Sequence, residues 1–395
     1  MTLLPWNDVD DIPHSQPPPS DHWDAVNDLP PPAKRRRFDI ATEPPLKGPH
    51  RWRKAKVKAN VAANGHDIRP STVAKHLRPA VPIRTSLASH ILRTAHGAYV
   101  ASLEDAKELY GSKKRWTLEP LVERGFLVIP WDGKMPRPLV DSTGRVFGAL
   151  AGQPDDPSYA ASAQRAFDAV LREGHAAKFP ASEKKHRRGL FAAINVGVSY
   201  GQGQTKPSWL KSDYEATAES YLSALAPHLY EYYLSHNKLL DARFKLRRPF
   251  SASVFSAAAF NFGKNVWTFR HRDVLNLPFG WCAIQALGRF DPTKGGHLIL
   301  WDLKLVIELP AGALILIPSA MLAHSNIPVQ NDETRTSFTQ FTAGFRYVDN
   351  DFRTEEELQA QDPIAYEAML AEKEQRWEMG LGLWSTIDEL VDARR

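Results

Sequence analysis

The residues best equipped for chemistry are His271, Asp273 and His324. On an extended strand the side-chain period is two, so the imidazole and carboxylate of His271-Arg272-Asp273 point the same way and offer two ligands to one place. A second imidazole, His324, brought in from a distant strand, makes a set of two neutral nitrogens and one anionic oxygen. That set suits Fe(II) held with positions left open. The dyad by itself is a common pattern, since 14 His and 45 Asp+Glu in 395 residues give about 1.6 His-x-acid matches by chance. The other match, His22-Trp23-Asp24, lies in a Pro-rich acidic stretch with no strand pattern and reads as coincidence.

The surroundings of His271 distinguish it. From Trp281 to Tyr347 short apolar runs alternate with turn signals, giving strand candidates at 281–287, 297–301, 303–309 and 313–318. Gly295-Gly296 and Pro310-Ala311-Gly312 separate them. Strands at this spacing without intervening helices imply an antiparallel barrel or jelly roll. His324 follows the series, and Arg335-Thr336-Ser337 opens the next strand, 335–341. Arg335 is suited to a buried carboxylate, because guanidinium binds it through two parallel N–H groups and keeps its charge. Ser337 shares the strand face and can donate to the same group. Singly, Arg335 reads as a surface ion pair and His324 as a core histidine; in this order the set resembles a double-stranded β-helix oxygenase using 2-oxoglutarate.

A closer resemblance rests on His271-Arg272-Asp273-Val274-Leu275-Asn276-Leu277-Pro278-Phe279-Gly280, preceded by Arg248-Pro249-Phe250-Ser251. This segment is similar to the core of the TET/JBP oxygenases, which oxidise methyl groups on DNA bases. The run from Gly280 to Asp349, with Gly295-Gly296-His297-Leu298 and Ile317-Pro318-Ser319, resembles the TET-like branch of mushroom-forming fungi, often associated with transposons. The likeness spans about Phe191 to Glu389. It implies iron on His271, Asp273 and His324, 2-oxoglutarate on Arg335 with His297 beside it, O2 as co-substrate, and Asn276 against the target base. Phe341 and Ala343 stand where the animal enzymes place a Tyr and a His that touch the base; Phe341 can still stack, whereas Ala343 cannot hydrogen-bond. The implied partner is DNA with methylated bases, 5-methylcytosine first and N6-methyladenine second. The open alternatives are a hydroxylase of RNA, protein or small molecules, and an inert DNA-binding transposon relic.

Cys282 is the only cysteine, which excludes an intramolecular disulfide or a Cys-type structural zinc site. Other surfaces must then hold the duplex, and the candidates for phosphate contact are Lys184, Lys185, Arg187 and Arg188, with Arg247 and Arg248. The net charge of +5 conceals segregation: residues 1–32 hold six Asp and no Lys or Arg, and residues 33–58 hold ten Lys or Arg against Asp39 and Glu43. Lys34-Arg35-Arg36-Arg37 reads as a nuclear import signal or a generic polybasic linker. No secretory leader or membrane-spanning run appears.

The elements that must position these residues imply an α+β fold with a double-stranded β-helix core. Residues 1–75 read as a disordered tail, 76–190 as a cover region of short strands and helices, 191–350 as the core, and 351–395 as two docking helices. A helix is expected over 162–172 with Gly174 as its stop, and a longer one over 214–240. Gly201-Gln202-Gly203 reads as a plain surface loop, or as the loop that the resemblance implies near the active-site mouth. A monomer is expected.

Overall fold

The computed structural model describes residues 56, 60, 74–75, 78–92, 95–96, 100–101, 113–197, 224–244, 250, 253–343 and 345–392. The chain divides into two units, Met1–Arg53 and Lys54–Arg395, the first of them outside the described residues. The import signal Lys34–Arg37, the Gly201–Gly203 loop, Arg247 and Arg248 also lie outside them.

Among the described residues the strands in chain order are β1 (Ile83–Arg84), β2 (Ala95–His96), β3 (Val100–Ala101), β4 (Leu127–Ile129), β5 (Arg137–Val140), β6 (Val146–Gly152) and β7 (Ala192–Gly197). They continue with β8 (Ala257–Phe262), β9 (Cys282–Arg289), β10 (Leu298–Leu300), β11 (Leu305–Ile307), β12 (Leu314–Ile317), β13 (His324–Asn326) and β14 (Thr334–Phe341). Eight form one sheet, ordered β1-β5-β6-β12-β9-β14-β8-β7, and four form a second, ordered β13-β10-β11-β4. Pairing is antiparallel except for β1 with β5 and β4 with β11. The strands read from the apolar runs are present, with shorter bounds for β10, β11 and β12, while β9 runs on to Arg289 and β14 begins one residue earlier, at Thr334. Trp301–Leu303, read as strand ends, is a turn of 3-10 helix instead, and strands from 127–152 extend both sheets.

Alternation along these strands explains the layering. On β14, Arg335, Ser337, Thr339 and Phe341 share one face and Thr336, Phe338 and Gln340 the other. Phe338 packs with Phe260, Phe262 and Leu287 against Ala163, Ala166, Phe167 and Val170 of a long helix, which closes the outer face of the larger sheet. The smaller sheet sends Leu298, Leu300, Leu305 and Ile307 into the same apolar core as Ile284, Ala286 and Ile315 of the larger one. Its opposite face, Ile299 and Val306, is covered by Leu121 and Phe126. Two sheets sharing one interior, with helices outside, make the α+β double-stranded β-helix architecture.

Among the described residues the helices are α1 (Leu118–Glu123), α2 (Tyr159–Ala177), α3 (Pro227–Phe244), α4 (Phe345–Asp349), α5 (Glu355–Gln361), α6 (Pro363–Ala371), α7 (Lys373–Gly382) and α8 (Ile387–Asp392). Gly174 does not stop α2. The helix runs through it to Ala177 and ends at Lys178 in the left-handed region (φ 49°). A Cβ at 174 would come within 2.7 Å of the Phe262 ring, so this glycine serves close packing of helix on sheet. The described residues after 351 form four short helices rather than two. Their anchor Trp384 is fully buried and donates its indole N–H to the Phe279 carbonyl at 2.8 Å.

Candidate metal centre

His271 and His324 face each other as a bridge between two segments, each donating its backbone N–H to the other's carbonyl at 3.0 and 2.9 Å. His324 opens β13, whereas His271 lies in irregular backbone beside it, so the pairing alone gives it the strand-like register expected from sequence. Asp273 is tied in turn by its N–H to the Ser319 carbonyl at 3.0 Å. The resulting geometry brings the three ligand atoms within 4.8 Å of one another. Nε2 of His271 lies 3.8 Å from Asp273 Oδ1, and Nε2 of His324 lies 3.8 Å from Oδ2.

The ring orientations are set from behind. Nδ1 of His271 is 2.8 Å from the Phe269 carbonyl and Nδ1 of His324 is 2.9 Å from the Leu322 carbonyl. A carbonyl can only accept, so both Nδ1 atoms carry the proton and both Nε2 lone pairs face the carboxylate. Burial pushes the His271 pKa down to about 3, with the neighbouring His324 adding to the fall. Burial would raise Asp273, but His271, His324 and the Arg188 guanidinium outweigh it and hold the carboxyl near 2. A neutral His271 ring and an ionised Asp273 carboxylate are the states a divalent ion needs. The donor set fits Fe(II).

Asp302 ties the two ligand segments together. Asp302 Oδ1 accepts from Arg272, between His271 and Asp273, at 2.9 Å. Its Oδ2 accepts from the backbone N–H of Ala323, just before His324, at 2.6 Å. No sequence signal marks Asp302, because the segments it joins meet only in the folded chain.

Further along the interior, Arg335 is 1% exposed. It donates from Nη1 to the Val266 carbonyl at 2.8 Å, and its buried Nε and Nη2 have no partner. Burial lowers its pKa to about 10, so it remains a cation at neutral pH. A buried guanidinium with two unfilled N–H positions is a fitting receptor for the carboxylate of 2-oxoglutarate. Gly288 lies opposite Arg335 on β9, with φ +146°, where a Cβ would collide with the Thr334 carbonyl. Ser337 follows on the same face, and its hydroxyl oxygen accepts from Asn261 of β8 at 2.8 Å, leaving its own hydrogen to donate elsewhere. Asn261 was not flagged from sequence; its signal is a polar residue at an inward position of an otherwise apolar strand. His297 is fully buried with neither ring nitrogen partnered, and burial lowers its pKa to about 4.

Beside the ligands opens a cavity of about 780 Å³ whose wall includes Asp273, Asn276, Thr339, Phe341, Arg187 and Arg188. The Asn276 amide nitrogen donates to Cys282 Sγ at 3.2 Å and Ser319 Oγ at 3.3 Å, which fixes the plane of the amide. Phe341 is buried in the wall and Ala343 is buried as well. Of the basic run, Lys184 and Lys185 are exposed away from the cavity lining, while Arg187 and Arg188 line it. His186 belongs to the cavity too, packed edge-on to Phe191 at 4.6 Å. Burial and then Arg188 lower its pKa to about 4, so this histidine is neutral near pH 7.

No protein-family model matches the chain. No curated protein matches it either. Among solved structures it is similar to NgTET1 in complex with 5mC DNA, at 14% identity and a TM-score of 0.34, over 62% of this chain and 88% of that one. It is also similar to a Pseudomonas putida prolyl-4-hydroxylase, at 19% identity and a TM-score of 0.26, covering 47% of this chain and 88% of that one. A 2OG-Fe(II) oxygenase-family oxidoreductase from Burkholderia pseudomallei is similar at 18% identity and a TM-score of 0.24, covering 48% of this chain and 91% of that one.

Proposed function

We propose that this chain is an Fe(II)- and 2-oxoglutarate-dependent dioxygenase that oxidises a methyl group on a base of DNA, with 5-methylcytosine as the first substrate and N6-methyladenine as the second. The observation that carries the reading is the cavity beside Asp273, large enough to take a nucleotide and lined by an oriented amide, a buried ring and two guanidinium groups. His271, Asp273 and His324 would hold the metal and Arg335 the distal carboxylate of 2-oxoglutarate, with Ser337 and His297 beside it. When bound, Fe(II), 2-oxoglutarate and O2 supply the oxidant: the methyl gains one oxygen atom as a hydroxyl, and 2-oxoglutarate takes the other as it becomes succinate and CO2.

The chain's own residues do the remainder. The Phe269 and Leu322 carbonyls keep both imidazole lone pairs aimed inward. Asn276 offers an amide, fixed by Cys282 and Ser319, to a base edge, and Phe341 a face against it. A base in duplex DNA must leave the stack to reach such a cavity. Hydroxylation of N6-methyladenine would yield a hemiaminal that loses formaldehyde, whereas the product of 5-methylcytosine is stable and open to further oxidation. We also read Lys34–Arg37 as a nuclear address. Deleting residues 1–60 should move a fluorescent fusion out of the nucleus, and retained enrichment would refute that address.

The experiment that tests the activity is incubation of the purified chain with Fe(II), 2-oxoglutarate and duplexes carrying one modified base, followed by nucleoside mass spectrometry. Oxidised base is expected with the parent and none with His271→Ala, since a ligand is lost from a three-ligand site. Equal product from both would refute the metal assignment. Succinate formed only with peptides or small molecules would place the substrate outside nucleic acid.

A further inference from the structure

A line of cations leaves the cavity and crosses the outside of the smaller sheet. Arg187, in the cavity wall, donates from Nη1 to the Arg272 carbonyl at 3.2 Å. Two residues back, Arg270 lies 4.9 Å over the ring of Trp301. Trp301 meets Trp116 edge to face, with centroids 5.1 Å apart. Trp116 carries two further cations, Lys114 at 4.1 Å and Arg124 at 4.9 Å from its centroid. Lys113, Lys114, Arg115 and Arg124 are exposed. Neither Lys114 nor Arg124 has a carboxylate partner among the described residues; the acidic neighbours along the chain are Glu119 and Glu123.

Clustering like charges on one aromatic pair costs Coulomb energy, partly offset by attraction to the ring faces. The arrangement holds long, flexible cations in place on a surface that starts at the cavity. An extended polyanion would relieve their repulsion. Both tryptophan rings are engaged by each other and by cations, so they do not offer the free faces on which single-stranded bases stack. The contact that remains is with phosphate.

We propose that this line, from Arg187 and Arg188 through Arg270 to Arg124 and Lys114, is a track for the phosphate backbone of a DNA duplex whose modified base enters the cavity. It rests on the nucleic-acid reading above and adds a docking surface to it.

The test is binding of a fluorescent 20-base-pair duplex by the full chain, measured by anisotropy across a salt series. Each phosphate contact contributes about 0.9 to the slope of log K against log salt. Lys114→Glu with Arg124→Glu should weaken binding at every sequence and lower that slope by about 2. Lys238→Glu with Arg165→Glu makes the same change in net charge on exposed cations elsewhere, and it should leave the slope alone. Melting curves of both pairs check that the fold persists. An unchanged slope in the first pair, or an equal loss in the control pair, would overturn the track while leaving the nucleic-acid reading intact. A parent chain that binds no duplex would overturn both.

Discussion

At the scale of single residues, Arg335 and His297 stand out among the described residues, since each holds two unfilled polar atoms in the interior. Arg335→Met removes the charge partner proposed for the co-substrate. Affinity for 2-oxoglutarate should fall by ~2–5 kcal/mol, the usual cost of breaking a buried charge pair, while Fe(II) binding persists; isothermal titration with each ligand checks both halves. His297 gives a pH prediction. Its folded pKa, about 4, lies below the 6.5 of the unfolded chain, so between those values the unfolded state holds more protons and stability must fall as pH falls. Replacing it with Gln should flatten the pH dependence of unfolding free energy by up to ~1.4 kcal/mol per pH unit in that window. Urea melts from pH 4 to 7 would show it, and an unaltered slope would mean that the ring keeps its ordinary pKa when folded. His271, Asp273 and His324 were legible because the dyad, the strand series after it and the later histidine come in one order, and the fold brings the three together. Arg335 was singled out by its place in the same order and His297 by the family resemblance.

At the scale of elements, the strand series from 281 to 341 was readable because apolar runs broken by Gly and Pro have few other solutions. What escaped was contact between distant segments. Gly174 looked like a helix stop, but its lack of a side chain is used by Phe262 across the sheet. Asp302 carries no signal in the sequence, yet it bridges the two ligand-bearing segments through Arg272 and Ala323. It acts as a positioning residue, so Asp302→Ala should weaken metal binding by roughly tenfold, the low end of what outer-shell partners contribute, with Asp302→Glu recovering part of the loss. A Co(II) absorption titration of the three proteins reads this without turnover. Equal affinities would show that β13 and the 271–273 segment hold their spacing without the bridge.

At the scale of the whole molecule, the +5 net charge says less than where the cations stand. The acidic and basic blocks before residue 58 offset one another in part, and the run 184–188 splits into exposed lysines and two arginines that line the cavity. Composition could not separate these, because burial and proximity are properties of the fold. Among the described residues no helix is long and apolar enough to cross a membrane. Arg335 is buried in the interior, and the cavity beside Asp273 is lined by Asn276, Phe341, Arg187 and Arg188.

The central claim is that this cavity works on a base. The most direct measurement compares the parent with Asn276→Ala for two outputs in one reaction: succinate formed from 2-oxoglutarate, and oxidised nucleoside from a duplex with one 5-methylcytosine. Asn276 lies beyond the metal ligands and its proposed partner is the base edge, so DNA oxidation should fall well below the parent while 2-oxoglutarate affinity stays the same. If Asn276→Ala oxidises the methylated duplex as the parent does, or if the parent yields succinate but no oxidised nucleoside from either modified base, the cavity is not a nucleobase site.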